Sequence, residues 1–377
     1  MQLTFSEEQN SLARTALDFA QKHCPVTRFR AHRDEPAELR YSPQVFAKMA
    51  ELGWLGVHIP EEYGGVELGF SELAILLESL GRTLTPEPLT SSLVLGGYAL
   101  LLGADEPLRE SLLPEIASGE RIFTLAHQET TYDYDRALCT TRAEKVDGGW
   151  KLTGEKVHVL DGAAASDLLV VARVRGGDRD RDGLGIFHIA ADAPGVSRTA
   201  LTRLDFRNCA NLRLDGAIAQ AIAAPGDAAE VLDKVLDRAT IALCAEALGG
   251  LRQAFDISIQ YLKERVQFGV PIGSFQALQH RASKLFSEVE LARSIVLAAA
   301  RAVDQEPTRV PHLAAAAKAT VDEAFLHVTR EGVQFHGGVG VTDEYDIGLY
   351  LKRAHVVAAT LGDASYHRQR WATLQGY

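Results

Sequence analysis

Apolar positions recur at helical spacing through roughly the first 120 residues. They change to short alternating or β-branched runs near Arg121 and return to helical spacing from about Ala228 to the end. Ser6 and Gln9 have capping-box spacing, with Glu7 and Glu8 in the first turn, so a helix is predicted to start there. Ser42–Pro43 predicts a second start, with Val45, Phe46, Met49 and Leu52 on one face. The segment LGWLGVHIPEEYGGVELGF, from Leu52 to Phe70, interrupts the helical run with several glycines and Pro60. Helical spacing resumes at Ser71 and again near Pro107.

The middle stretch contains the runs RIFTLAHQE, CTTRAEKV, WKLTGEKVHVL, DLLVVARV, GLGIFHIA and ANLRLDG. Turn signals such as Asp147–Gly148–Gly149, Asp161–Gly162, Gly176–Gly177–Asp178 and Asp182–Gly183 separate them. Strands this short, spaced by about ten residues, predict a small antiparallel barrel or sandwich. The charged run GGDRDRDG, Gly176–Gly183, reads as a solvated hairpin tip. A βαβ alternation is missing, which argues against a doubly wound nucleotide fold. The pattern therefore predicts an α+β chain, mainly α. Its expected domains are 1–120 helical, 121–227 a middle antiparallel β-domain, and 228–377 helical.

In the last domain, an alanine-rich helical pattern stops at Gly337–Gly338. Glycine ends a helix cheaply and lets another molecule approach bare backbone. Gln334, one turn earlier, places an amide beside that pair. A helical pattern follows up to a break at Leu361–Gly362–Asp363.

A chain of 377 residues is long for a single core. Its net charge of −11 argues against nucleic acid or an anionic membrane as the main partner. No apolar run approaches a membrane span, and MQLTFSEEQN has no basic segment followed by an apolar core, so a cytoplasmic protein without a signal peptide is expected. Cys24, Cys139, Cys209 and Cys244 are scattered and read as buried thiols. The histidines do not cluster at metal-ligand spacing, so no metal is expected. Lys352 and Arg353 read as a solvated helix end, and His336 as a local hydrogen-bonding side chain.

LGWLGVHIPEEYGG, YLKERVQFGVPIGSFQALQHRASKL, QFHGGVGVTDEY and YLKRA, in this order and spacing, resemble the acyl-CoA dehydrogenase family over essentially the whole chain. The resemblance implies an N-terminal helical domain, a middle β-barrel domain and a C-terminal four-helix bundle. It also implies FAD and the α,β-dehydrogenation of an acyl-CoA thioester. That chemistry needs a carboxylate to remove the α-proton, donors on the thioester carbonyl, and a flavin against Cβ. Arg265 matches the family arginine on the FAD pyrophosphate of a neighbouring subunit; alone it would read as a surface arginine closing a helix. Phe268, Gly269 and Gln276 match further FAD contacts, and Gln334, Gly337 and Gly338 match the segment reaching the same FAD. A helix cap alone would explain the two glycines but not Gln334.

Other family positions are altered. The base of the Glu-Gly-Thr motif falls on Leu361, and the alternative base position falls on Ala239. Neither side chain accepts a proton. Glu246 shares a helix face with Ala239 but lies two turns, about 10.5 Å, along; it is a weak candidate, and a polar helix–helix contact is the plainer reading. Asp237 and Asp363 are each two residues from the family positions. His127–Asp135, HQETTYDYD, replaces a Thr-Glu-Pro…Gly-Ser-Asp loop and brings in Tyr132 and Tyr134. His158-Val159-Leu160-Asp161-Gly162 stands where a hydroxyl is expected near the flavin, and Leu160 has none. Three readings follow. The first is a dehydrogenase in a homo- or hetero-oligomer, most simply a tetramer. The second is a catalytically silent subunit completing a partner dehydrogenase's FAD site, as in the accessory-type subunits of bacterial hetero-oligomers. The third is a flavoprotein of this fold with other chemistry.

Overall fold

The computed structural model describes residues 4–34, 39–130 and 133–377. Tyr132 lies outside the described residues. The helices of the first part are α1 (Glu7–His23), α2 (Val26–Asp34), α3 (Pro43–Glu51), α4 (Phe70–Gly81), α5 (Gly97–Gly103) and α6 (Glu106–Ala117). The strands are β1 (Phe123–Ala126), β2 (Arg142–Val146), β3 (Gly149–Leu160), β4 (Asp167–Arg173), β5 (Leu184–Ala190), β6 (Val196–Ala200) and β7 (Cys209–Ala221). Then come α7 (Ala229–Glu264), the short pair β8 (Val266–Gln267) and β9 (Val270–Pro271), α8 (Gln276–Gln305), α9 (Val310–His336), α10 (Ile347–Ala359) and α11 (Ala364–Leu374). The helix–sheet–helix order matches the expected class.

The described residues form two compact units. One takes those up to Ala31, then Phe70–Thr85 and Thr240–Tyr377; the other takes His32–Gly69 and Pro86–Ala239. In the first unit, Ser6 and Gln9 close the anticipated capping box on α1, with reciprocal bonds of 3.1 Å. α4 is capped from a distant part of the chain. Asp304, at the end of α8, accepts from Phe70 N at 2.8 Å, Ser71 N at 3.0 Å and Ser71 Oγ at 2.7 Å. α9 is the centre of the C-terminal bundle, with α8, α10 and α11 packed on it. Its buried face is mostly small, including Ala314, Ala315, Ala317 and Ala324 with Phe325. Arg353 is not the solvated helix end the sequence implied: it is buried and its Nη1 donates to Glu246 Oε1 at 2.8 Å.

In the second unit Ser42 caps α3, accepting from Val45 N at 3.3 Å, and Val45, Phe46 and Met49 are buried. Leu52, expected on the same face, is the C-cap residue and is exposed, because the helix stops one position before it. The strands pair in a ring, β4–β2–β3–β7–β5–β4, so the sheet closes into a small barrel; β1 adds to β4 and β6 to β7. Most pairings are antiparallel, but β1 and β2 run parallel to β4. β4 is buried at every position, which explains its unbroken apolar run. The register between β3 and β7 slips between Lys156 and Val159, and there His158 adopts φ +52°.

The run GGDRDRDG is an exposed hairpin tip between β4 and β5, as expected, and its charges are paired. Arg179 pairs with Asp133 and Asp135, Arg181 with Asp233, Arg142 with Asp178, and Arg175 with Asp182 and Asp227. The alternating charges that read as hydrophilicity are complementary to aspartates brought close by the barrel. Cys24, Cys139, Cys209 and Cys244 are buried and take part in no disulfide. Among the described residues no helix is long and apolar enough to cross a membrane, and no group of three or more His, Cys, Asp or Glu could hold a metal ion.

Candidate cofactor-binding site

The residues matched to FAD contacts lie on three elements of the first unit and leave their functional atoms outward. β8 and β9 form a hairpin with Val266 opposite Pro271 and Gln267 opposite Val270. Its two-residue turn is Phe268–Gly269, at φ +54° and +79°, the type I′ pattern. Glycine suits the second position; phenylalanine at positive φ is a conformational outlier. Phe268 is also 91% exposed, touching Phe275 edge-on at 6.1 Å between ring centroids. The ring at this hairpin tip is therefore held at positive φ and left open to solvent apart from its contact with Phe275.

Arg265 precedes the hairpin and is exposed; among the described residues its guanidinium has no side-chain hydrogen bond or ion pair. It lines a groove of about 600 Å³ together with Tyr261, Glu264, His336 and Tyr345. The groove thus brings Arg265 together with the C-terminal end of α9. There Gln334 is exposed, while His336 is buried in a stack on Tyr261 (4.1 Å between centroids), with its Nδ1 2.7 Å from Gly332 O. Gly337 ends α9 at φ +62°, and nothing lies within 4 Å of where a Cβ would sit on Gly337 or Gly338. Gly340, three residues from Gly337, is by contrast packed tightly enough that a Cβ would meet Val333 O at 2.5 Å. The open pair is accessible backbone. Gln276 opens α8, which has no side-chain N-cap, so its first amides point outward and favour an anion.

These groups fit a dinucleotide cofactor. An unpaired guanidinium and an uncapped helix start suit a diphosphate. Two carboxamides supply further donors, and a side chain would fill the cradle at Gly337–Gly338.

The family base position is different. Leu361 lies in the loop between α10 and α11 at φ +59°, with its carbonyl 2.9 Å from His367 Nε2. Asp363 is the N-cap of α11, accepting from Tyr366 N at 2.8 Å. Glu246 is committed to Arg353. The loop is held from beneath by Lys318, whose Nζ donates to Gly362 O at 2.8 Å and to Asp322 Oδ2 at 2.6 Å. Lys318 is 0% exposed and Asp322 1%. Burial raises the Asp322 carboxyl to about 6 despite Lys318 beside it. The signal for this pair was present in the sequence: a Lys and an Asp at i, i+4 spacing within an otherwise apolar alanine-rich face.

In the second unit, Ala239 is fully buried. Asp237 pairs with Arg136 Nη2 at 2.8 Å. Leu160, at the end of β3, accepts from Thr124 Oγ1 through its carbonyl at 2.7 Å. Of the HQETTYDYD segment, His127 is driven down to about 3 by burial, helped by the nearby Lys156 and Arg136 charges. Glu129 is the anchor. It receives Lys156 Nζ at 2.6 Å, Thr140 Oγ1 at 2.6 Å and Thr141 N at 2.9 Å. Burial pushes its carboxyl up, but the Lys156 charge and these donors outweigh burial and hold it at about 2.

A depressed acid stabilises the fold above its ordinary value, and that stability is lost as pH falls toward the folded value. Stability of the wild-type chain to urea is expected to decline between pH about 4.5 and about 2 more steeply than that of Glu129→Gln. Parallel slopes of urea midpoint against pH for the two proteins would count against the pair.

A family model described as acyl-CoA dehydrogenase, N-terminal domain, matches residues 6–120, and one described as acyl-CoA dehydrogenase, C-terminal domain, matches residues 218–373. The acyl-CoA dehydrogenase IpdE2 of Mycolicibacterium smegmatis is 31% identical over 359 residues, spanning 95% of each chain. A solved variant of the Tcur3481–Tcur3483 steroid ACAD is 35% identical with a TM-score of 0.88, covering 98% of each chain. The ChsE4–ChsE5 complex from Mycobacterium tuberculosis is 27% identical with a TM-score of 0.89, covering 100% of this chain and 99% of that one.

Proposed function

The chain belongs to the acyl-CoA dehydrogenase family, whose members are FAD-dependent oxidoreductases acting on acyl-CoA, and from that premise we propose that it works as the accessory-type subunit of a hetero-oligomeric dehydrogenase. It lends an FAD-binding arm to a partner subunit that supplies the base. The observation that carries this reading is the contrast within one unit. Arg265, Phe268, Gln276, Gln334, Gly337 and Gly338 are all exposed, whereas the family base position is Leu361. The likeness to the ChsE4–ChsE5 complex and to a steroid ACAD supports a hetero-oligomer, most simply a tetramer, and a bulky acyl-CoA substrate.

FAD, when bound, supplies the hydride acceptor. Arg265 neutralises and orients its diphosphate through a planar fork of donors. Gln276 and Gln334 add amide donors, and Gly337–Gly338 let the backbone come close. Phe268 buries its ring against the partner and excludes water from the charged contacts, which strengthens them. In this reading none of the candidate positions on this chain moves a proton. Leu361 cannot accept one, Ala239 cannot, and Glu246, Asp237 and Asp363 each serve an ion pair or a helix cap.

The test is to purify the chain alone and together with its operon neighbour. The chain alone is expected to lack flavin absorbance and acyl-CoA turnover, and the pair to show both. Stoichiometric FAD with turnover in the lone chain would overturn the accessory reading.

A further inference from the structure

His58 is a buried titratable group that the proposed function leaves unused. It lies in the Leu52–Phe70 segment and is 7% exposed, and among the described residues neither Nδ1 nor Nε2 has a hydrogen-bond partner. Its ring stacks on Tyr98 of α5, with 4.8 Å between centroids and 19° between planes. Arg238 of α7 lies over the same tyrosine ring at 5.2 Å. Next to this stack, Thr90–Gly96 forms a π-helical turn, in which Gly97 N donates to Ser92 O. A Cβ on Gly97 would sit 3.3 Å from His58 Nε2, so the ring packs on bare backbone where the turn runs into α5. The turn in its other contacts holds the barrel. Ser91 Oγ donates to Asp161 Oδ2 at 2.6 Å, just past β3, and Ser92 Oγ accepts from Phe123 N at 3.3 Å on β1.

We propose that His58 is an acid-sensitive latch. With its ring neutral it seats the Thr90–Gly96 turn against the Leu52–Phe70 segment, and protonation loosens that turn and its hold on β1 and the end of β3. A neutral imidazole tolerates the place, where the Leu93 carbonyl attracts it without closing a hydrogen bond. An imidazolium brings a charge and two N–H donors that both need acceptors. Among the described residues the titratable and charged groups around the ring are Tyr98 on α5 and Arg238 on α7, and neither is a carboxylate that would take up the charge. Burial accordingly lowers His58 to about 4, with only the Leu93 backbone pulling the other way. Once the turn opens, the ring titrates at its ordinary value of 6.5, so between these values the open state binds the extra proton. The closed turn is therefore favoured in full above that ordinary value. Its advantage falls about tenfold per pH unit as pH drops toward the closed-state value.

The experiment uses the full-length chain and reads hydrogen-exchange protection over 90–97 between pH about 6.5 and about 4.5, a window that stays above the acid loss expected from Glu129. Protection over β4 is the reference for global unfolding, to which the buried His127 also contributes in acid. In the wild type, protection over 90–97 is expected to fall by about 30-fold across this window, ahead of β4. His58→Phe keeps a ring to stack on Tyr98 but takes no proton, and its protection over 90–97 is expected to change by less than about threefold. If His58→Phe does not accumulate as a folded chain, His58→Gln, which also takes no proton, carries the same comparison. Constant protection over 90–97 in the wild type, a fall only in step with β4, or an equal fall in the His58 variant would each rule the latch out. None of these readouts depends on flavin, acyl-CoA or a partner subunit, so the latch and the accessory role stand or fall separately.

Discussion

Under the proposed accessory role, Arg265→Ala in this chain is expected to lower the affinity of the complex with its partner for FAD by about 10- to 100-fold while leaving assembly intact. The size follows from charge-assisted hydrogen bonds to a phosphate, each contributing about 1.5–3 kcal/mol where water is excluded, with 1.4 kcal/mol equal to a factor of ten. The selectivity follows from the structure. Arg265 has no side-chain partner among the described residues, so its removal strands no buried group and leaves the stability of this chain unaltered. Arg265→Lys is expected to fall between wild type and Arg265→Ala, because an ammonium keeps the charge but not the fork. The readout is the ratio of flavin absorbance to protein after dialysis, followed by titration with FAD. Retention of FAD by the Arg265→Ala complex at wild-type affinity would remove the arm from the cofactor site. A fall in affinity that comes with dissociation of the subunits would instead place Arg265 in the interface.

The second large effect concerns Lys318. Lys318→Met removes one partner of a buried pair and leaves the Asp322 carboxyl and Gly362 O without their donor. Breaking a buried ion pair from one side costs about 3–5 kcal/mol. For a unit of this size that lowers the thermal midpoint by on the order of 10 °C. Asp322 already has one buried oxygen without a partner, Oδ1, so the site has no spare donor to take over. The double replacement Lys318→Met with Asp322→Leu removes both charges together and is expected to recover most of the loss, since apolar pairs of similar volume often match the ion pair they replace. Hydrogen exchange in the α10–α11 loop separates the two roles of Lys318. The double variant is expected to stay fast there, because Gly362 O still lacks its donor even when the charges are balanced. Equal midpoints for the single and double variants would show that charge balance is not what Lys318 provides.

Much of the architecture was legible in local pattern. The caps at Ser6 and Ser42 and the helix stop at Gly337 depend on residues within a few positions of one another, so a one-dimensional reading reaches them. The same holds for the middle strands and for the non-acidic residues Leu361 and Ala239 at the family base positions. A substitution at a motif position is visible as soon as the motif is.

What tertiary structure alone decided is which charges are surface and which are structural. Arg353 looks solvated by composition, because composition carries no record of partners far along the chain, but it is buried on Glu246, 107 positions away; the arginines of GGDRDRDG are exposed as composition suggests, and only their partners, such as Asp233, are set by the fold. Asp304 caps α4 from a distance of 234 residues, and Arg173 finds carbonyls on two separate loops. Burial raises the cost of an unpaired charge, so the buried Arg353 and Arg173 were placed by partners that only the fold brings within reach. By itself the sequence determined the family and the non-acidic residues Leu361 and Ala239 at the motif positions; the fold decided the exposure of Arg265 and Phe268 and which ionisable groups are committed to ion pairs and caps, because both depend on partners far along the chain.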